Sequence, residues 1–457
     1  MSLRERIAQR VSRPMFKISV AYIFIHAFMI IILDEITAFA PDENNYLAIF
    51  SGVVKGDLVF DGFAGWPTNN QLFLELIYFP ATIFSMFGLT DLQSIRILSS
   101  LATYLSLLML YSLAGETRVM GMSQRNWVVL GFFFPTMILW SSLGLRESFI
   151  FLWITCIFYF LKKYLDSNRL IHGVALLASS ASLALTKNYL YAILAIALII
   201  STFLLVLANK SFHISRLIIM SMILAPIVIL PEVRNSLISG AKFVTEQKIV
   251  QQPLGDSSIT PTSTEVNLDS ESSIKVNRGE TLSNVLDQAN ANPIFSWLVQ
   301  NTGGYQKLKS QAEDSSSVAP SKDSYMLVNK LSITPASLRD PMSLLQGIVG
   351  FVIKPLPFLD NGSPFLNILS YESIFWYPMY GLIVIIIYRF LRNRSKWNLS
   401  SATSLLFIFG FLIQSALLEI NVGTAYRHRS VLLLGILILC AVFAEKRDTN
   451  KRNLDVS

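Results

Sequence analysis

Charged residues and cysteines are scarce in this chain of 457 residues. Only 15% of its residues are charged, whereas about a quarter are charged in an average soluble domain. Cys156 and Cys440 both lie inside apolar runs, so the sequence offers no disulfide framework and no exposed catalytic thiol. Hydrophobic residues make up 53% of the chain. This composition excludes an ordinary soluble enzyme and predicts a polytopic membrane protein.

Nucleotide and metal motifs are missing as well. The sequence contains no P-loop, no dinucleotide fingerprint, no Cys/His spacing typical of a metal site and no internal repeat. The net charge of +7 does not indicate a nucleic-acid partner, because the basic residues form short clusters between apolar runs. We therefore expect neither a nucleic acid nor a soluble nucleotide among the partners.

Many apolar runs are long enough to cross about 30 Å of hydrocarbon. They lie near 17–33, 71–89, 95–114, 127–142, 147–163, 170–186, 188–208, 215–231, 368–389, 400–419 and 430–444. If all of them crossed, the basic segments 117–125 and 161–169 would lie opposite the basic N-terminus, against the positive-inside rule. The run 71–89 contains Glu75 and Pro80 and follows a glycine-rich loop. We therefore interpret it as an amphipathic helix in the outer interface.

The predicted fold class is all-α, a polytopic membrane protein with about ten transmembrane helices and both termini in the cytoplasm. An N-terminal membrane module occupies 1–231, and a C-terminal module with three spans and a cytoplasmic tail occupies 368–457. Between them, 232–367 forms a long polar region on the outer face. We expect that region to be partly disordered, because much of it is rich in Ser, Asn, Gln and Thr.

Several carboxylates follow the first apolar run: Asp34, Glu35, Asp42 and Glu43. Ionisable groups at a membrane boundary lose hydration, so they usually have a partner, a metal or a reaction to serve. Pro41 fixes a turn before Asp42. We predict that Asp42, with Glu43 as its immediate rival, is a catalytic base. The structural alternatives are an N-cap at Asp42 and solvated acids at the helix end for Asp34 and Glu35.

Cations should be rare on the outer face, yet a group of basic residues lies beside outer helix ends. They are Arg146, Lys187, Arg427, His428 and Arg429. A guanidinium group binds phosphate through a planar fork of donors, so we predict that this group binds the phosphate of a lipid-linked donor. For Arg146, pairing with Glu147 or with an acid of the first loop is the alternative.

Acids facing phosphate-binding cations suggest sugar transfer. A carboxylate can act as a general base on an acceptor hydroxyl, while Arg and Lys stabilise the charge on a departing phosphate. Further side chains are assigned to substrate orientation: Asp34, Glu35, Tyr46, Arg96 and Glu147. A divalent cation, Mg or Mn, is left open as a cofactor, and no metal ligands are assigned.

The order of features in the first half of the chain carries a resemblance. A first helix is followed by Pro41-Asp42-Glu43 with Tyr46, Gly52–Gly56, an outer helix Gln71–Phe87 ending in Phe87-Gly88-Leu89, Arg96, and Phe134-Pro135…Trp140-Ser141-Ser142…Arg146-Glu147. Over roughly residues 15–210, this arrangement resembles the GT-C superfamily of integral-membrane glycosyltransferases, which use polyprenyl-phosphate sugars. The resemblance implies that an acid of the first outer loop, Asp42 or Glu43, is the catalytic base.

The segment Asn421-Val422-Gly423-Thr424-Ala425-Tyr426-Arg427-His428-Arg429 is instead similar to the ends of exopolysaccharide and O-antigen polymerase-like proteins. Outer-face arginines are functional residues in those enzymes. Both resemblances imply sugar transfer from a lipid carrier at the outer face of a bacterial inner membrane. The expected partners are a polyprenyl-phosphate-linked sugar, the bilayer, and a glycan, lipid or protein acceptor.

Two other function classes stay open. A transporter or flippase of lipid-linked glycans predicts charges at mid-membrane and broken helices, and the sequence shows almost none of either. His26 is the clearest ionisable group within a helix, and we interpret it as a hydrogen-bonded interior histidine. A receptor or assembly scaffold would explain the long segment 232–343 but not the paired acids and cations.

Overall fold

The computed structural model describes the membrane helices and a few residues of the first loop. The described residues are 13–34, 43, 46–47, 71–207, 214–231, 233–235, 238, 341–354, 364–392, 398–418 and 422–443. All of them belong to one compact unit made of 1–241 and 331–457. Most of the polar region predicted between the two membrane modules lies outside the described residues.

The described part of the chain is mostly helical and contains one short hairpin. In chain order the elements are α1 (Arg13–Asp34), α2 (Gln71–Met86), α3 (Asp91–Leu113), β1 (Arg118–Val119), β2 (Met122–Ser123), α4 (Gln124–Phe132), α5 (Pro135–Ser142), α6 (Glu147–Ser167), α7 (Leu170–Thr186), α8 (Asn188–Leu207), α9 (Ile214–Ile229), α10 (Pro341–Ile353), α11 (Pro364–Arg392), α12 (Leu399–Leu418) and α13 (Val422–Val442). The β1–β2 hairpin is antiparallel, and Arg118 pairs with Ser123.

Within the described residues, 7 helices are long and apolar enough to cross a membrane. They are α1, α3, α6, α8, α11, α12 and α13. Three shorter apolar helices, α7, α9 and α10, fall below that length. This confirms an all-α polytopic membrane protein, while the number of ten spans stays a prediction.

The run predicted as one span over 127–142 is broken into α4 and α5, which corrects the sequence interpretation. Helix α4 ends at Phe132, and α5 begins at Pro135. Phe134 has extended backbone angles, φ −63° and ψ 139°, because the ring of a following proline disfavours the helical conformation. Pro135 itself suits the first position of α5, where its missing N–H has no intrahelical partner to lose.

Basic helix ends collect around the β1–β2 hairpin, and we call this side of the molecule the basic end. Arg389 near the end of α11 donates to the Arg118 carbonyl at 3.3 Å. Gln124 donates from Nε2 to the Phe443 carbonyl just after α13, at 2.5 Å. Helix α13 therefore runs towards the basic end, and its first residues lie at the opposite end, which we call the site end.

Helix α13 is the centre of the packing, since 94% of its span is buried. Its side chains belong to the main hydrophobic cluster, together with residues of α4, α6, α8 and α12. A second cluster at the site end contains Leu33, Tyr46, Phe73, Trp140, Phe149 and Tyr426 among others. The second cluster joins the first loop, α2, α5 and the starts of α6 and α13, so it supports the polar residues described below.

Helix α2 covers most of the run predicted as an interfacial helix. Its 16 residues span about 24 Å, and it is not among the candidate spans. Phe73, Ile77 and Ala81 are buried, whereas Met86 and Phe87 are 78% and 80% exposed. One face of α2 thus packs on the protein, and its location in the outer interface stays a prediction.

Candidate functional site

Glu147 is the centre of a charged cluster at the site end. It begins α6 and is 1% exposed. Arg427, in the second turn of α13, donates from Nη2 to Glu147 Oε1 in an ion pair. Lys187 and Arg146 also interact electrostatically with the Glu147 carboxylate. The structure therefore brings together three of the predicted phosphate-binding cations around one predicted orienting acid.

The cations of this cluster come from separate parts of the chain. Arg146 precedes α6, Lys187 lies between α7 and α8, and Arg427 lies in α13. Lys187 is 9% exposed, and its Nζ lies 5.1 Å from the centre of the Tyr189 ring. The three cations have further interactions beyond those with Glu147. Packing therefore brings together cations that are far apart along the chain.

Glu43 belongs to a second buried ion pair at this end. Arg96, in α3, donates from Nε to Glu43 Oε1 at 2.8 Å and from Nη2 to Glu43 Oε2 at 2.9 Å. The Gly144 N–H donates to Oε1 at 2.6 Å. Glu43 is 2% exposed and Arg96 is 0% exposed. With both carboxylate oxygens bonded to donors, Glu43 is poorly placed to take a proton from a substrate.

The Glu43 ion pair fixes the chain that leads into the Glu147 cluster. A Cβ atom at Gly144 would lie 2.8 Å from Ile95 Cγ2 and 3.3 Å from Glu43 Oε1, so the position favours glycine. The same turn continues into Arg146 and Glu147. Arg96, predicted to orient substrate, therefore holds Glu43 of the first loop, and Glu43 also bonds to the turn before α6.

Other predicted residues of the first loop are not all described. Asp42 and Glu35 lie outside the described residues, so the assignment of Asp42 as the base stays a prediction. Asp34 ends α1, but its side chain also lies outside the described set. Tyr46 is 3% exposed, and its ring centre lies 5.0 Å from that of Phe73. The Tyr46 ring thus packs in the second hydrophobic cluster.

Arg429 contacts a different set of residues from Arg427. Side chains two residues apart on a helix point about 200° away from each other. Arg429 donates from Nε and Nη2 to the Phe351 carbonyl of α10, at 2.8 and 2.6 Å. Its guanidinium also lies 5.9 Å from the centre of the Phe351 ring. The prediction of one site containing both arginines is therefore corrected, while His428 is partly buried and has contacts of its own.

A buried acid lies at the break between α4 and α5. From the sequence, Glu372 lies at an outer helix end and is a cap, a solvated acid or a side chain that orients a sugar or a cation. In the structure it is 5% exposed. The Thr136 N–H donates to Glu372 Oε1 at 3.0 Å, and the Thr136 hydroxyl bonds to the same oxygen. Thr136 Oγ1 is also bonded to the Tyr426 hydroxyl at 2.7 Å. Pro135 inside an apolar run was the sequence signal that could have revealed this break.

The interior histidine behaves as predicted. His26 is 3% exposed, and its Nδ1 lies 2.9 Å from the Tyr22 carbonyl oxygen. Its Nε2 lies 2.7 Å from Ser141 Oγ. The bond to Ser141 ties α1 to α5, and both bonds confirm a hydrogen-bonded interior histidine.

A metal site finds no support in the described part of the chain. No group of three or more His, Cys, Asp or Glu side chains there is arranged to hold a metal ion. The divalent cation considered from the sequence therefore gains no ligands among these residues. No family model matches the chain, and comparisons with curated proteins and with solved structures find no match.

Proposed function

We propose that this chain is a membrane glycosyltransferase. It would transfer a sugar from a polyprenyl-phosphate-linked donor to an acceptor at the outer face of the membrane, in the assembly of cell-surface polysaccharide or glycoconjugate. The observation that carries the proposal is the convergence of Arg146, Lys187 and Arg427 on the buried Glu147. These cations lie at the end of the molecule opposite the basic end, where the positive-inside rule does not account for them.

The chemistry of the cluster suits a phosphate at a membrane boundary. Hydrogen bonds from charged donors to phosphate are stronger than neutral ones, and burial strengthens them further. Arg427 and Glu147 are 14% and 1% exposed, so the cluster is largely shielded from water. Glu147 Oε2 has no hydrogen-bond partner among the described residues, which leaves it available to accept from a substrate hydroxyl.

The proposed reaction is a displacement at the anomeric carbon of the donor sugar. The acceptor hydroxyl oxygen forms a bond to that carbon, and the bond from the carbon to the phosphate oxygen breaks. Polyprenyl phosphate leaves with the electron pair, and the cation cluster stabilises its charge. The hydroxyl proton passes to a carboxylate, for which Asp42 is the candidate because Glu43 is held by Arg96.

Binding of undecaprenyl phosphate by the purified chain in nanodiscs tests this proposal. Arg427→Ala should weaken binding by about 1.5–3 kcal/mol, the contribution of a hydrogen bond to a charged group, which is roughly 10- to 150-fold. Arg389→Ala, at the basic end, is the matched control and should bind normally. Equal affinity of the two folded variants and the wild-type chain would remove the cluster as a phosphate site.

A polymerase acting on undecaprenyl-diphosphate-linked repeats is one alternative, and it differs in its product. Incubation with a lipid-linked repeat would yield a ladder of chain lengths for a polymerase and a single added sugar for the transferase proposed here. The C-terminal resemblance supports this alternative, and the cation cluster is compatible with either substrate.

A flippase of lipid-linked glycans is the second alternative, and one observation favours it. Transporters place broken helices and buried charges at their substrate site, and the α4–α5 break with Glu372 has this form. Proteoliposomes distinguish the functions. A flippase moves a fluorescent lipid-linked sugar between leaflets without an acceptor, whereas a transferase consumes the lipid only when an acceptor is present.

A further inference from the structure

A pair of opposite charges lies inside the membrane-spanning part of the protein, outside the Glu147 cluster. Glu372 in α11 and Arg429 in α13 are 5% and 1% exposed. The two side chains interact electrostatically. Among the ion pairs of the described residues, however, none joins Glu372 to Arg429. Separated charges in apolar surroundings are costly, so they usually have a structural or functional reason.

Part of that reason is structural, because each charge meets the end of a helix inside the protein. Glu372 accepts from the Thr136 N–H in the first turn of α5, where the helix dipole favours a negative charge. Arg429 donates to the Phe351 carbonyl in the last turn of α10. These contacts satisfy backbone groups that the two helix ends leave without intrahelical partners.

Helix capping does not use all the donors of Arg429. Its Nη1 is buried and has no hydrogen-bond partner among the described residues. A buried charged donor without a partner loses free energy that a bound acceptor would restore. A group that accepts from Arg429 and donates to Glu372 would bridge the two charges. Two neighbouring hydroxyl groups of a bound molecule meet this requirement. A phosphate does not, because the negative charge of Glu372 would repel it.

Aromatic rings border the same place. The Trp376 ring centre lies 5.9 Å from that of Phe134 and 5.8 Å from that of Tyr380. Tyr380 interacts electrostatically with both Arg429 and Glu372. Aromatic faces beside hydroxyl-binding charges match the two sides of a sugar ring, which presents apolar C–H groups and polar hydroxyls.

Adjacent residues of α13 connect this place to the phosphate cluster. Tyr426 is bonded to Thr136, which also bonds to Glu372. Arg427, the next residue, pairs with Glu147. The two places are therefore linked through neighbouring residues of α13 and through Thr136.

We propose that Glu372 and Arg429 form a sugar subsite that binds hydroxyl groups of the lipid-linked donor. The proposal rests on the proposed function, because it assumes a sugar carried on polyprenyl phosphate. It assigns Arg429 to the sugar, and it leaves Arg146, Lys187 and Arg427 to the phosphate.

Binding measurements with and without the sugar test the subsite. The full chain in nanodiscs is titrated with undecaprenyl phosphate and with its glucosyl, mannosyl and galactosyl derivatives. The wild-type chain should bind at least one derivative more tightly than undecaprenyl phosphate itself. Glu372→Gln should weaken binding of that derivative about 10- to 100-fold, the effect of losing a charged hydrogen bond, and leave undecaprenyl phosphate within twofold.

Arg429→Lys keeps the positive charge but lacks Nη1. It should weaken binding of the sugar derivative and not of undecaprenyl phosphate. It therefore replaces Glu372→Gln if that variant does not fold. Ser180→Ala, which removes a buried hydroxyl bonded to the Leu176 carbonyl of its own helix, controls for the loss of a buried polar group. The subsite is overturned if the wild-type chain binds all four lipids equally, or if the variants weaken all four alike. Failure of the folded wild-type chain to bind any of them would instead overturn the proposed function.

Discussion

The Glu43–Arg96 ion pair gives the sharpest test of the structure at the site end. Glu43 is 2% exposed, Arg96 is 0% exposed, and their bonds are bidentate at 2.8 and 2.9 Å. Removing one partner of a buried pair leaves an uncompensated charge and costs about 3–5 kcal/mol. Glu43→Gln and Arg96→Met should each lower the free energy of unfolding by this amount.

The double variant decides whether the two residues interact. If they pair as described, Glu43→Gln combined with Arg96→Met removes both charges, so its cost should be close to that of one single substitution. The coupling energy would then be on the order of 3 kcal/mol. Unfolding by SDS in mixed micelles, followed by circular dichroism, measures all four free energies.

An exposed ion pair of similar length is the matched control. Lys162 and Asp166 are 33% and 54% exposed and lie 2.8 Å apart. Asp166→Asn should therefore change the free energy of unfolding by no more than about 1 kcal/mol. Additive effects of the Glu43 and Arg96 substitutions, or a cost for each no larger than that of Asp166→Asn, would contradict a buried ion pair.

The remaining predictions concern topology, catalysis and packing. Cysteines placed at Met120 and at Ser167 should both react with an impermeant maleimide from the cytoplasmic side. Labelling from the outside would mean that the membrane orientation is the opposite of the predicted one. Asp42→Asn should bind donor normally and reduce turnover about 10²- to 10⁴-fold, the usual contribution of a positioned base, whereas normal turnover would exclude Asp42 from that role. A Cβ atom at Gly131 would lie 2.5 Å from Leu437 Cδ1, so Gly131→Ala should lower thermal stability, and Leu437→Ala should partly restore it. Independent, additive losses would contradict this contact.

Some features of the site could have been read from the sequence more fully. Arg427 and Arg429 are two residues apart, and helical periodicity alone separates their directions by about 200°. Grouping them as one anion site overlooked that geometry. Likewise, Pro135 within an apolar run signalled a helix break, which the structure places beside Glu372.

Other features depend on contacts between distant parts of the chain. Glu43 could have been a base, a cap or an ion-pair partner as far as its own sequence neighbours show. Its pairing with Arg96, 53 positions away, decides between these roles. The acid of the first loop that remains a candidate base, Asp42, is therefore distinguished from Glu43 by a tertiary contact and not by any local pattern.

The sequence by itself determined the class, an all-α polytopic membrane protein. Apolar length and the clustering of charge act locally, because each helix must satisfy its own backbone in lipid. Only the tertiary structure decided which charges meet: Arg427 and Lys187 with Glu147, and Glu372 and Arg429 with the ends of two helices. The physical reason is that a buried charge takes its stability from partners brought near by packing, and these partners are far away along the chain.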